Sequence, residues 1–298
     1  MQPLRALLVY LVWAFAGGAL LAPWLYHAAA WAATTFGWVG LAGVPFHRIV
    51  NRSLLALALL GLWPLLRQLG VRSRQELGLT NPNGEWARLG AGFAAGFGAL
   101  ACVVGLTVTL GARSLDLEHD LADFSRHLFN AGLAAVVVSP LEELLFRGAL
   151  FGGLRKAHAW PVALAISSAV YALVHFFARP ASPTAVAWYS GFVQLAGMVR
   201  GFLELGQLAP GFLNLTLAGV ILGLAYQRSG SLYFSIGLHA GWIFWLKSYG
   251  FMTRELPATH PWLWGSSKLI DGWGALAVLG VTLGFVARHH FKREEPAS

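Results

Sequence analysis

Charge is what this chain lacks. Only 11% of its 298 residues are Asp, Glu, Lys or Arg, and 57% are hydrophobic, where a soluble domain carries about 25% charged residues. Most of the surface must therefore face something other than water, and a lipid bilayer fits. Cysteine is nearly absent too. The single one, Cys102, sits in an apolar run, which excludes a disulfide framework and a cysteine-based zinc site and reads as a small buried hydrophobe. Acidic residues are outnumbered, 13 against 21 basic, for a formal net charge of +8. The basic residues are scattered between apolar runs, so they read as loop charges of a membrane protein and not as a nucleic-acid footprint. Internal repeats and low-complexity tracts are missing, and a single membrane-embedded domain over 1–298 is the simplest organisation.

Long apolar runs are what the chain has. A spanning helix needs about 20 mostly apolar residues. Eight candidates can be drawn, at about 5–26, 52–68, 87–110, 128–151, 160–178, 211–227, 231–248 and 270–288, with a shorter interfacial piece at 31–44. The first has no strongly basic segment ahead of it and similar runs follow, so it reads as a retained span rather than a signal peptide. The expected fold class is all-α, a polytopic membrane helical bundle of about eight transmembrane helices. Small residues recur in the third, fourth and sixth spans, as in GAGFAAGFGA and LAGVILGLA, and permit close helix approach.

Three connections interrupt the runs. Residues 69–86 are polar and carry an Asn-Pro-Asn-Gly turn. Residues 111–126 hold Asp116, Glu118, Asp120 and Asp123 and read as an acidic, solvated loop. Residues 179–210 form a half-apolar connection with prolines at both ends, a candidate lid or substrate guide. With the N-terminus inside, eleven Lys and Arg fall on the inner side and nine on the outer, and the tight clusters at 67–74 and 288–293 are both inner. The positive-inside rule then puts both termini in the cytoplasm.

Against this background the stretch SPLEELLFRG, 139–148, places Glu142, Glu143 and Arg147 within the fourth span. Part of it has an ordinary reading: Ser139 as N-cap, Pro140 at the first helical position and Glu142 at the third would start a helix. A capping box needs one Glu and no Arg, however, and carboxylates inside a span are costly and mark function. Helical spacing separates the three groups. Glu143 and Arg147 are four residues apart and can pair along one face, whereas Glu142 is turned about 100° away and is left free to take protons.

Two histidines fall within spans, His175 near the end of the fifth and His239 in the middle of the seventh. The others, His27, His47, His119, His127, His158, His260, His289 and His290, fall in loops or span ends and read as interfacial or solvated. One intramembrane histidine could be a hydrogen-bonded core residue. Two of them and a diacid, on three separate spans, describe a site converging inside a bundle. A carboxylate in a low-dielectric setting can act as general base and then acid. Imidazoles can bind a metal, orient a water or donate to an oxyanion. The set suits hydrolysis by an activated water. It also suits proton-coupled transport, although the paired repeats and matched broken helices of transporters are not seen.

These residues resemble the CPBP family, the CAAX-protease and bacteriocin-processing intramembrane proteases. Its Glu-Glu-x-x-x-Arg motif is matched by Glu142, Glu143 and Arg147. Its second motif, an aromatic, three residues and then His, is matched by Tyr171 and His175, with Tyr in place of the usual Phe; its third, a His in a late helix, is matched by His239. The run LAGVILGLAYQRSGSLYFSIGLHA is similar to the family's approach to that histidine, and the resemblance covers about residues 128–248. It implies a bacterial inner-membrane endopeptidase that cuts a peptide bond of a membrane-associated protein or peptide. In that reading Glu142 activates water, His175 positions it, His239 stabilises the tetrahedral oxyanion, and Glu143 and Arg147 hold the geometry. Two versions stay open: Zn²⁺ held by Glu142, His175 and His239, which meets the three-ligand count of a catalytic zinc site, or a water activated without metal.

One position departs from the pattern. Four residues after the third-motif His the family commonly has Asn or Asp, and this chain has Ile243, which neither donates a hydrogen bond nor binds a metal. Asn214, on the sixth span, is the candidate to take over. The same departure supports a second reading, a non-proteolytic bacteriocin-immunity or partner-binding membrane protein on the same scaffold.

Overall fold

The computed structural model describes residues 3–116, 118–177, 180–200, 205–256, 260–289 and 291; His290, Lys292 and Arg293 lie outside them. Helix dominates. In order come α1 (Pro3–Val12), a π-helical stretch Trp13–Gly17, α2 (Gly18–Phe36), α3 (Phe46–Gln68), α4 (Glu85–Thr109) and α5 (Leu121–Glu143). A second π-helical stretch, Leu144–Phe151, leads into α6 (Gly152–Leu154), α7 (Trp160–His175), α8 (Ser190–Met198), α9 (Leu205–Ser229), α10 (Tyr233–Met252), α11 (Pro261–Trp264) and α12 (Trp273–Arg288). The chain divides into two compact units, Met1–Arg72 with Phe176–Glu204, and Ser73–His175 with Leu205–Ser298.

Among the described residues, five stretches are long and apolar enough to cross a bilayer: Arg5–Phe36, Phe46–Gln68, Glu85–Thr109, Leu121–Leu154 and Ala209–Ser229. The protein is thus an all-α, multi-pass integral membrane bundle. The expected interfacial piece at 31–44 is in part the end of α2, which runs on to Phe36 and stops at Gly37 in the left-handed conformation. The shorter apolar helices α7 and α12 have 16 residues each, about 24 Å at the helical rise against a hydrocarbon core of about 30 Å. The expected seventh span is α10. It falls outside the apolar set, with Ser235, His239, Lys247 and Ser248 lowering its hydropathy; its stretch Phe234–Ile243 is buried. That is the signature of a helix enclosed by protein.

In the first unit α2 packs against α3, and α8 lies on both. Part of the candidate lid, Ser190–Met198, is therefore a packed helix, tied to the stretch before it by Gln194, whose Nε2 donates to the Ala181 carbonyl at 2.6 Å. Arg179 and residues 201–204 of that connection lie outside the described residues.

In the second unit α10 is the central helix, flanked by α4, α5 and α9. Its closest partner is α4, and the reason is in the glycines. Gly92 and Gly96 on α4 face the backbone of Phe234 and Leu238, while Gly237 and Gly241 on α10 face the backbone of Leu89 and Phe93. Each helix offers glycines four residues apart, which lets two backbones touch where lipid supplies no hydrophobic drive. His239 sits between the two α10 glycines, so this contact fixes its depth and azimuth. A Cβ on Gly96 would run into the Leu238 carbonyl. Gly96→Ala is expected to cost about 1–3 kcal/mol, read as a lower melting temperature in detergent, with a fall in any activity that depends on His239.

Two expectations are corrected here. The acidic loop is structured: β1 (Arg113–Leu115) pairs antiparallel with β2 (Thr253–Glu255), Arg113 opposite Glu255. Asp120 caps α5 by accepting from the Asp123 amide at 2.7 Å. Arg254 donates to Asp116 and to Glu118, each at 2.6 Å, and its guanidinium holds the Asp116 carboxyl below the usual carboxylate range. Cys102, expected to be buried, is exposed on α4; in a bilayer protein the outer face is itself apolar, so an apolar run does not tell inside from outside.

Candidate active site

Glu142 and Glu143 end α5, and the chain continues into the π-helical turn without a break. The expected helix start at Ser139 is thus wrong. Pro140 lies inside the helix, and the Ser139 hydroxyl donates backward to the Ala135 carbonyl at 2.7 Å. Pro140 has no N–H to continue the ladder. Within membranes such breaks are tolerated where side chains and π adjustments re-satisfy the backbone, and π turns gather at functional sites.

Glu143 and Arg147 pair as their four-residue spacing predicts. Arg147 Nη1 donates to Glu143 Oε1 at 2.9 Å, and both side chains are almost wholly buried. Arg147 Nη2 also approaches the Gly219 carbonyl of α9 at 3.5 Å, and the guanidinium lies 4.4 Å over the Tyr171 ring. Gly219 permits this because α9 passes against Ser168 of α7 so closely that a Cβ would collide. The sequence gives no sign of the next contact: Glu143 Oε1 also accepts from His239 Nδ1 at 2.8 Å. One carboxylate oxygen thus joins α5 and α10 to the arginine.

The structure brings Glu142, His175 and His239 together. Glu142 Oε2 lies 3.8 Å from His175 Nε2 and 3.7 Å from His239 Nε2. Both distances are too long for direct hydrogen bonds and suit groups that share one bridging atom. The Oε2 atom has no hydrogen-bond partner of its own. Glu142 and His175 are the accessible members, 27% and 31% exposed, whereas His239 is 4% and Glu143 0% exposed.

Each imidazole is oriented from behind. His175, at the end of α7, has Nδ1 2.7 Å from the Tyr171 carbonyl. His239 has Nδ1 against the Glu143 carboxylate. Carbonyl and carboxylate oxygens accept only, so both rings carry a proton at Nδ1, and in the neutral form both present an Nε2 lone pair toward Glu142. The Tyr171 hydroxyl stands 3.3 Å from His239 Nε2. Sequence reading passed over this hydroxyl, because it counted Tyr171 as an aromatic ring alone.

Such Nδ1 anchoring is also the usual support of metal-binding histidines. A zinc ion, however, needs its donors gathered about 2.0–2.2 Å from one point. Among the described residues no group of three or more His, Cys, Asp and Glu is placed to hold a metal ion, and Tyr171 already addresses the His239 nitrogen that would ligate. No step below passes through a metal ion.

Asn214 does not take the place of the missing amide. Its Nδ2 donates to the Ile270 and Gly272 carbonyls, both at 2.8 Å, so it holds the entry to α12. Ile243 packs with Ala135 and Ala240 in an apolar cluster. Asn214→Ala is expected to leave the buried Gly272 carbonyl and the part-buried Ile270 carbonyl without this donor, at about 1–3 kcal/mol for the buried one. Thermal unfolding should register that loss while kcat of the folded fraction stays unchanged.

Residues 124–245 match the family model described as Type II CAAX prenyl endopeptidase Rce1-like. No curated protein and no solved structure matches the chain. The matched stretch begins within α5 and ends within α10, and it contains Glu142, Glu143, Arg147, His175 and His239.

Proposed function

From the match of residues 124–245 to the Rce1-like type II CAAX prenyl endopeptidase family model, we propose that this membrane protein hydrolyses a peptide bond of a membrane-associated protein or peptide through a water activated by Glu142. The observation that carries the reading is the placement of the Glu142 carboxylate 3.7–3.8 Å from two imidazole nitrogens that are fixed from behind. A water in reach of all three is held by His175 and loses a proton to Glu142. The hydroxide adds to the scissile carbonyl carbon, and the π electrons move to the carbonyl oxygen. The C–N bond then breaks, Glu142 returns its proton to the leaving amine, and the products are a new carboxyl end and a new amino end. Glu143 and Arg147 touch no reacting atom; they position His239.

The substrate is membrane-anchored, since the site lies on helices of a membrane bundle. A prenylated C-terminal segment is one class, and leader peptides or sorting tails are others. The cytoplasmic placement of both termini follows the distribution of Lys and Arg, and a bacterial inner membrane follows the family resemblance. The competing reading, an immunity or partner-binding protein on the same scaffold, is favoured by Ile243 alone.

To test the proposal, the purified protein in liposomes is mixed with two anchored peptides, one farnesylated near its C-terminus and one held by a transmembrane helix, and the products are read by mass spectrometry. A discrete cut in either one supports it and assigns the class. No cut in either, together with a cellular phenotype that survives Glu142→Ala, would transfer the protein to the binding reading.

A further inference from the structure

Hydrolysis as proposed above needs a hydrogen-bond donor where negative charge develops on the carbonyl oxygen, and neither imidazole supplies one in its neutral form. His239 has its N–H committed to Glu143 at 2.8 Å and His175 has its N–H committed to the Tyr171 carbonyl at 2.7 Å. Arg147 is spent on Glu143 and lies behind the Tyr171 ring. The position one turn beyond His239 on α10 is Ile243, buried among alanines. The Tyr171 hydroxyl remains. It is 3.3 Å from His239 Nε2, a nitrogen that can only accept from it when its partner Nδ1 carries the proton. The O–H therefore points at His239 Nε2, the nitrogen that lies 3.7 Å from Glu142 Oε2.

The hydroxyl is held there by its ring. The guanidinium of Arg147 covers one face at 4.4 Å. Phe146 meets the ring edge-on, with centroids 5.1 Å apart at 87°, and His175, one turn along α7, lies 4.5 Å away. Tyr171 is 3% exposed. A buried donor fixed before the reaction begins is the arrangement that stabilises a transition state most, because nothing reorganises when charge appears.

We propose that the Tyr171 hydroxyl is the oxyanion donor of this site. At rest it donates to His239 Nε2. As the hydroxide adds, it turns its hydrogen bond to the carbonyl oxygen of the substrate, and it returns when the C–N bond breaks. No proton leaves Tyr171 in the cycle. The donor thus comes from α7, and the apolar Ile243 on α10 is no defect. The proposal rests on the hydrolytic reading, so its test includes a control for that reading.

Cleavage of an anchored peptide is measured for the unmodified protein, Glu142→Gln and Tyr171→Phe, with melting temperatures for all three. Tyr171→Phe keeps the ring and its contacts. It is expected to lower kcat by about 10²–10³-fold, with KM within about twofold and the melting temperature lower by no more than the few degrees that one lost buried hydrogen bond costs. If the unmodified protein cleaves, Glu142→Gln does not, and Tyr171→Phe keeps kcat within about threefold, the donor assignment is overturned and the hydrolytic reading stands. If the unmodified protein does not cleave at all, both fall. Should Tyr171→Phe fail to fold, 3-fluorotyrosine placed at position 171 decides, as a phenol of nearly the same shape that ionises at lower pH. The alkaline limb of the kcat–pH profile moves to lower pH if Tyr171 donates during catalysis, and an unmoved limb overturns the assignment.

Discussion

Glu142→Gln is expected to reduce turnover by about 10⁴-fold, the upper end of what one general acid–base group contributes. The upper end applies because, in the proposed mechanism, a single carboxylate serves twice, taking a proton from water and delivering it to the leaving amine. Glutamine keeps the shape but can do neither. Stability should be nearly unaffected: Glu142 Oε2 has no hydrogen-bond partner and the side chain is partly exposed, so the exchange breaks no buried pair. The expected pattern is lost kcat with an unchanged melting temperature and near-normal binding of an uncleaved peptide. Glu143→Gln should behave differently. It weakens both the Arg147 pair and the His239 anchor, so stability and kcat fall together. Two adjacent glutamates with opposite profiles would separate the chemical carboxylate from the structural one.

Arg147→Ala should destabilise the protein by about 3–5 kcal/mol, the usual cost of stranding one member of a buried ion pair. Glu143 is fully buried and its second oxygen, Oε2, already has no partner, so without Arg147 its charge is met by the His239 N–H alone. Arg147→Lys would recover little. Lysine has no planar fork to reach Glu143 and cover the Tyr171 ring at once. The pair Glu143→Leu with Arg147→Met makes the contrast. Replacing a buried ion pair by apolar residues is often neutral for stability, so this double variant should melt above Arg147→Ala. It should still be inactive, because His239 Nδ1 has lost its acceptor and the ring its orientation. Thermal unfolding in detergent beside a cleavage assay reads both. An Arg147→Ala protein with the normal melting temperature and no cleavage would contradict the positioning role and put Arg147 at the reacting atoms.

The parts of this molecule that follow local rules were legible in the sequence. Low charge and long apolar runs announced a membrane bundle, and the four-residue spacing of Glu143 and Arg147 announced their pair. Contacts between distant segments were not legible. Glu143 and His239 meet across 96 positions, and no periodicity within one helix encodes that meeting. The small residues of α4 signalled close packing, but not that α10 carries the complementary glycines on either side of His239. The helix start at Ser139 failed because Ser-Pro-x-Glu is as good a start signal in isolation as it is a bend within a longer helix; the apolar run before it decides. Asn214 was singled out for its polarity and its span, yet it spends its amide on the carbonyls before α12. Tyr171 was read as a ring when its hydroxyl was the informative atom. The short ribbon between residues 113–115 and 253–255 has three-residue strands, too brief for alternation to show.

The central claim is that Glu142, His175 and His239 address one water at the scissile carbonyl. Its most direct test is a high-resolution structure of the protein with a phosphinic peptide, whose two tetrahedral oxygens stand in for the attacking water and the oxyanion. The account predicts one of these oxygens within hydrogen-bond reach, about 2.6–3.2 Å, of the Glu142 carboxylate, with His175 beside it. The other is predicted to lie about 2.7–3.1 Å from the Tyr171 hydroxyl, on the His239 side. A phosphinate bound elsewhere on the bundle, or bound here with Glu142 turned away from both oxygens, would contradict it.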